Sequence, residues 1–174
     1  MAGKANFTPD EWARIVASPM VAGMAITAAE PSGLWGLLKE SMSSGWALLE
    51  AKQDAGASPL VREVAEAIAD PATRDAVRHS FQDRFRGSQF TEVKGKAIAE
   101  LRAVSTLLQE KAPEDAPAFR TWLRHVAQET AEAGKEGGFL GFGGVAVSDA
   151  EKATLDEIDK ALLAPTLTSG IAET

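Results

Sequence analysis

The chain has 174 residues and a mass of 18.4 kDa, a length that fits one domain with a sizeable buried core. Hydrophobic residues make up 45% of it and charged residues 25%, which excludes an intrinsically disordered chain. The formal net charge of −7 argues against a nucleic-acid partner, because nucleic-acid phosphates repel an acidic surface.

The absence of cysteine removes disulfides, thiolate nucleophiles and sulfur-ligated metals together. Near the N-terminus, Asp10 and Glu11 stand where a signal peptide carries only basic residues. The uncharged run 15–29 is too short to span a bilayer and contains Pro19. We therefore expect a cytoplasmic protein for which a membrane partner is unlikely.

The composition predicts an all-α fold, because Ala, Glu, Leu and Lys are abundant and β-branched runs are rare. We expect a single-domain helical bundle of about six to eight helices over residues 1–164, followed by a flexible C-terminal tail, 165–174. A glycine-rich hydrophobic loop is expected before the last helix.

The first helix is predicted to begin at Pro9, with Thr8 as its cap and Glu11 completing a T-x-x-E capping box. Pro19 is expected to kink or split this helix, because proline removes a backbone hydrogen bond and crowds the preceding turn. The residues beyond it are small enough for another helix to approach closely: Ala22, Gly23 and Ala25.

A second helix is predicted after the turn 30–33. Its apolar residues recur at helical spacing: Leu34, Leu37, Leu38, Met42, Leu48 and Leu49. It is apolar over more than half its circumference, so we expect it to be the central helix. Between Arg14 and Lys39 the only charged residue is Glu30, which fits a buried helical hairpin or, alternatively, a hairpin that dips into a membrane.

Five further helix starts are visible in the sequence. Ser58-Pro59 and Asp70-Pro71 each place a capping side chain before a proline at the first helical position. The clearest amphipathic pattern runs over 90–108, and a further helix follows the breaker at 112–117. The pair Ser148 and Glu151 forms a second capping box. The last apolar face is predicted from Leu155, Ile158, Leu162 and Leu163.

The segment 134–151 has the sequence GKEGGFLGFGGVAVSDAE, which is glycine-rich and apolar at once. It lacks the G-K-[ST] pattern of a phosphate-binding loop. Its large apolar side chains are expected either to pack back on the bundle or to contact a partner. These candidate interaction residues are Phe139, Leu140 and Phe142.

Two sets of polar residues at helical spacing are candidate metal ligands: Asp75, His79 and Asp83, and His125, Glu129 and Glu132. The alternative for both is a solvated polar face, and Arg74, Arg78 and Arg84 are placed to pair with the first set. Neither histidine follows a glutamate by three residues, so no di-iron site is predicted. No serine lies in a nucleophile elbow, and we predict no catalytic residue and no cofactor.

A C-terminal pattern joins Ala127 and Ala131 to Gly144-Val145-x-Val147-Ser148-x-x-Glu151, followed by Leu155 and Ile158. It resembles the TerB-like proteins of the bacterial tellurite-resistance group over about the last quarter of the chain. This sequence has Gly143 and Gly144 where that family places Asp-Gly, and FLGFGG is inserted. The resemblance implies a bacterial stress-response protein that binds a metal ion or a small molecule.

The residues themselves favour a non-enzymatic protein that acts through protein–protein interaction or self-association. The TerB-like function is the alternative hypothesis.

Overall fold

The fold, described for residues 3–29, 58–133 and 147–163 of a computed structural model, is a bundle of α-helices. These ranges contain a short 3₁₀-helix, Lys4–Asn6, six α-helices and no β-strand. The α-helices are α1 (Pro9–Thr27), α2 (Pro59–Ala69), α3 (Pro71–Phe85), α4 (Phe90–Lys111), α5 (Ala116–Ala133) and α6 (Asp149–Leu162). The predicted all-α bundle is confirmed. The helix predicted over 34–49, the glycine-rich loop and the C-terminal tail lie outside the described residues.

The helix starts follow local capping chemistry. Thr8 Oγ1 accepts from the Glu11 amide at 3.3 Å, while a Glu11 carboxylate oxygen accepts from the Thr8 amide at 2.7 Å. Ser148 and Glu151 form the same reciprocal pair at 3.1 and 2.8 Å. Asp70 caps α3 by accepting from the Thr73 amide at 2.7 Å. The predicted caps are therefore confirmed, and each satisfies a backbone amide that the helix leaves without a partner.

Among the described helices, α1 is the central one, because it packs against each of the other five. Its buried side chains surround the helix and include Trp12, Ile15 and Val16. No residue of α1 after Arg14 carries a charge, so almost no face of that part of the helix requires contact with water.

Pro19 does not split α1, which runs without a break from Pro9 to Thr27; of the two predicted outcomes, a kink or a split, the split is excluded. A proline nitrogen carries no hydrogen, and the Ile15 carbonyl one turn earlier loses its usual donor. The Ser18 hydroxyl donates to that carbonyl at 2.7 Å instead. Ser18 is fully buried, so this bond satisfies an acceptor that water does not reach.

The small residues of α1 lie where α5 comes close. A methyl group added at Gly23 would lie 3.4 Å from the Thr130 hydroxyl oxygen of α5, and Ala22 and Ala25 are fully buried. The predicted close approach of another helix is confirmed.

Two predicted apolar faces differ in detail from the structure. On α3 only Val77 is buried, while Phe81 and Phe85 are half-buried and their ring centroids lie 4.7 Å apart. On α6 the side chains of Leu155, Ile158 and Leu162 are buried, but Leu163 is 68% exposed. The prediction for Leu163 is wrong because α6 ends at Leu162 and the chain turns extended at the next residue.

Candidate functional site

The first candidate metal set lies on the outer face of α3. Asp75 pairs with Arg78 at 3.3 Å and Asp83 pairs with Arg86 at 2.8 Å, both across one helical turn. The two carboxylate side chains are 66% and 68% exposed. His79 between them is also exposed. The face is therefore a solvated strip of ion pairs, as its arginines suggested, although Arg84 turns away towards Glu100 of α4, 3.7 Å distant.

The second candidate set lies on α5. His125 Nε2 and Glu129 Oε1 are 4.0 Å apart, and their side chains are 58% and 42% exposed. Glu132 instead accepts a hydrogen bond from Gln128 at 2.7 Å. In the part of the chain that the structure describes, no three His, Asp or Glu side chains come together as a metal site.

The junction of α5 and α6 is the best-defined candidate region. The guanidinium Nε of Arg124 on α5 lies 2.5 Å from the Asp159 carboxylate on α6, and Arg124 also donates to Gln128 at 3.0 Å. Val147, directly before the Ser148 cap, is partly buried and packs against the core. The candidate interaction residues lie outside the described residues, in the connection between these two helices: Phe139, Leu140 and Phe142.

An open cleft of about 240 Å³ lies at this junction. Its lining residues are Arg124, Gln128, Val147, Lys152, Leu155 and Asp156. Apolar surface therefore meets two cations and a carboxylate, which suits a small polar molecule better than a purely apolar one. Arg124 is already held by Asp159, and Lys152 lies 3.3 Å from Asp149, so both cations have protein partners in the described structure.

The opposite end of α6 carries a buried polar network that the sequence reasoning missed. The Ser105 hydroxyl of α4 donates to the Leu162 carbonyl at 2.8 Å and accepts from Arg120 Nε at 2.9 Å. Arg120 also donates to Gln109 at 3.1 Å. One sequence signal points to Ser105: it shares a helical stripe with Leu101 and Leu108, both fully buried, so a core position is occupied by a hydroxyl.

A further polar cluster joins the first half of α1 to α4. Lys111 donates to both carboxylate oxygens of Glu11, at 2.7 and 2.8 Å. Arg14 Nε lies 3.1 Å from a Glu100 oxygen as an ionic contact without hydrogen-bond alignment. These pairs hold helices together and lie outside the lining of the cleft.

The shifted pKa values trace to these same structural contacts. Hydrogen bonding from Lys111, supported by the Thr8 amide, lowers the pKa of Glu11. The Thr73 hydroxyl and amide lower the pKa of Asp70. Burial lowers the pKa of Arg84 and of Arg120, and the charge of Glu100 opposes the shift at Arg84. None of these four groups lines the cleft.

Among the described helices, none is long and apolar enough to cross a membrane.

Comparison with known proteins gives no match: no family model, no curated protein and no solved structure matches the chain. The TerB-like pattern of the C-terminal quarter stays a prediction from the residues that form it.

Proposed function

We propose that the protein is non-enzymatic and works by binding another protein, or a second copy of itself, through the segment 134–146. Phe139, Leu140 and Phe142 are the proposed contact residues. The observation that carries the proposal is that the helices on either side of this segment, α5 and α6, are held against each other. The Arg124–Asp159 pair holds α5 against α6, and Val147 packs on the core where the segment ends. Binding residues are commonly displayed on connections between firmly packed elements.

The exposed surface of the described bundle supports the same proposal. Among the side chains that the structure describes, Leu163 is the one large hydrophobic residue that is exposed. The described bundle thus presents little fully exposed apolar surface, and other parts of the chain can supply it. Residues 134–146 supply three large apolar side chains among glycines, two of them aromatic, and a few buried anchors, often aromatic, contribute most of the energy of protein interfaces.

The test substitutes alanine for Phe142 and measures association and stability separately. For a contact residue we expect weaker association by analytical ultracentrifugation, with the free energy of unfolding within about 0.5 kcal/mol of wild type. Leu163→Ala is the matched control, because it removes an exposed apolar side chain elsewhere on the described surface.

The same two measurements also identify a Phe142 that packs into its own bundle. A loss on the order of 3 kcal/mol in stability, with association unchanged, means that Phe142 packs into its own bundle and contradicts the proposal. A wild-type protein that is monomeric at all concentrations and retains no protein partner contradicts it as well.

The alternative is that the protein binds a small molecule or a metal ion, as the TerB-like resemblance implies. The cleft between α5 and α6 favours a small molecule, although its 240 Å³ lies below the roughly 300–1,000 Å³ of most ligand pockets. For a metal-dependent fold, EDTA lowers the thermal midpoint by several degrees and one particular metal restores it. An unchanged midpoint, with no metal in elemental analysis of the purified protein, contradicts the metal form of this alternative.

A further inference from the structure

The two halves of α1 are held by different kinds of contact. The first half, residues 9–18, is tied to α4 by the bidentate pair of Glu11 and Lys111 and by Arg14 beside Glu100. Glu100 also lies 3.7 Å from Arg84, which extends this tie to α3. These charged pairs add attraction between α4 and the first half of α1, and partly exposed pairs of this kind contribute modestly to stability.

The second half, residues 20–27, has no ionisable residue. Its single hydroxyl, on Thr27, donates to the Gly23 carbonyl of the same helix at 3.1 Å. This half packs through apolar side chains and through the close approach of Gly23 to Thr130 on α5. No described side-chain hydrogen bond or ion pair joins this half to a neighbouring helix. Apolar packing is non-directional, so it fixes the orientation of this half less firmly.

The two halves of α1 meet at Pro19, where one hydrogen bond of the helical backbone is missing. Pro19 has no N–H for the Ile15 carbonyl, and its ring crowds that carbonyl. The replacement bond from Ser18 satisfies the carbonyl at 2.7 Å, but both of its partners lie before the proline. The replacement therefore removes the cost of an unpaired carbonyl without restoring the one bond that the proline removes from the helical backbone.

We propose that the Ser18–Pro19 step is a hinge within α1. Residues 20–27 open as a unit of their own, while residues 9–18 stay bound to α4 until the whole bundle unfolds. Opening exposes Val21, Met24 and Ile26, each at most 5% exposed in the described state. The hinge thus gives a buried apolar helix face a route to the surface that does not require global unfolding.

Native-state hydrogen exchange measured by NMR tests the hinge. In the wild type we expect the amides of 20–27 to be about tenfold less protected than those of 13–18, with a weaker dependence on denaturant. Pro19→Ala supplies the missing N–H and should bring the protection of the second half up to that of the first. Pro59→Ala is the matched control, because Pro59 opens α2 at a position that lacks an intrahelical donor bond. It should leave the difference between the halves of α1 unchanged.

Equal protection and equal denaturant dependence in the two halves of the wild type overturn the hinge. This comparison needs no variant, so it decides the question even if Pro19→Ala fails to fold. A Pro19→Ala protein in which both halves gain protection equally also overturns it, because the proline then acts on global stability alone.

Discussion

At the scale of single residues, Ser18 shows how a buried helix accommodates a proline. Its hydroxyl takes the place of the missing amide donor to the Ile15 carbonyl. The effects of Ser18 and Pro19 on stability are therefore coupled, although the two residues make no hydrogen bond to each other. Such a pair has to be evaluated together, because the role of each depends on the presence of the other.

Ser18→Ala should lower the free energy of unfolding by about 1–3 kcal/mol, since it leaves the buried Ile15 carbonyl without a donor. The same substitution in a Pro19→Ala background should cost clearly less, because the new backbone amide supplies that donor. Urea denaturation of the four proteins of this double-mutant cycle measures the coupling. Equal costs in the two backgrounds would show that the hydroxyl does not compensate for the proline.

Gly95 and Gly87 both have room for an added methyl group, but their backbone conformations differ. Neither has an atom within 4 Å of an added methyl group, but Gly87 has φ = 72° while Gly95 lies within α4. Gly95→Ala should stabilise by about 0.5–1 kcal/mol, because alanine loses less conformational entropy in a helix. Gly87→Ala should destabilise by about 1–2 kcal/mol through left-handed strain. Chemical denaturation of both variants checks the opposite signs.

At the scale of secondary-structure elements, the C-terminal end of α6 is fixed from the side by two other helices. Ser105 of α4 donates to the Leu162 carbonyl, and Arg120 of α5 donates to Ser105. The last carbonyls of a helix have no partner within it, so this network satisfies one of them in the interior. It also places a positive charge near the negative end of the α6 dipole.

Ser105→Ala should destabilise the protein by about 1–3 kcal/mol, because it leaves the Leu162 carbonyl and an Arg120 N–H without their partners. Thr106→Val is the control, since the Thr106 hydroxyl bonds only within its own helix, to the Arg102 carbonyl at 3.1 Å. That change should stay within about 0.5 kcal/mol. Similar losses in both variants, measured by urea denaturation, would contradict a special role for Ser105.

The elements that could be predicted from the sequence are those governed by near neighbours. Thr8 and Ser148 were identifiable as caps because each capping partner lies three residues along the chain. Ser105 and Leu162 are separated by 57 residues, and no local sequence pattern predicts that the hydroxyl of one bonds to the carbonyl of the other. Tertiary packing decides such pairs, and the same holds for Arg124 and Asp159 at the candidate site.

The candidate site was predictable to a similar degree. Helical spacing correctly placed each metal candidate set along a helix, and Arg78, one turn after Asp75, correctly indicated an ion pair. The turn of Arg84 towards Glu100 depends on where α4 lies relative to α3. Spacing within one helix carries no information on that relation.

At the scale of the whole molecule, acid should weaken the fold. Glu11 and Asp70 have folded-state pKa values below their ordinary values of 4.5 and 3.8. Both carboxylates therefore stabilise the folded state. Their full contribution is present above the ordinary pKa values. It is lost as the pH falls through the lower folded-state pKa values, because the unfolded chain binds more protons in that range.

The free energy of unfolding, measured by urea denaturation between pH 7 and pH 3, should accordingly decline below about pH 4.5. Glu11→Gln should show a shallower decline, because glutamine has no proton to bind and Lys111 loses its charged partner already at neutral pH. Identical slopes in the two proteins would assign the acid sensitivity to other groups.

The central position of α1 also has a consequence for biosynthesis. The helix that contacts every other described helix is synthesised before them, and Glu11 precedes its partner Lys111 by 100 residues. At roughly 5–20 residues per second, α1 spends about 5–20 seconds as nascent chain before α4 is complete. Its contacts with later elements join residues far apart in the sequence, and contacts of large sequence separation slow folding. During translation, then, α1 is the part of the described bundle most in need of a chaperone.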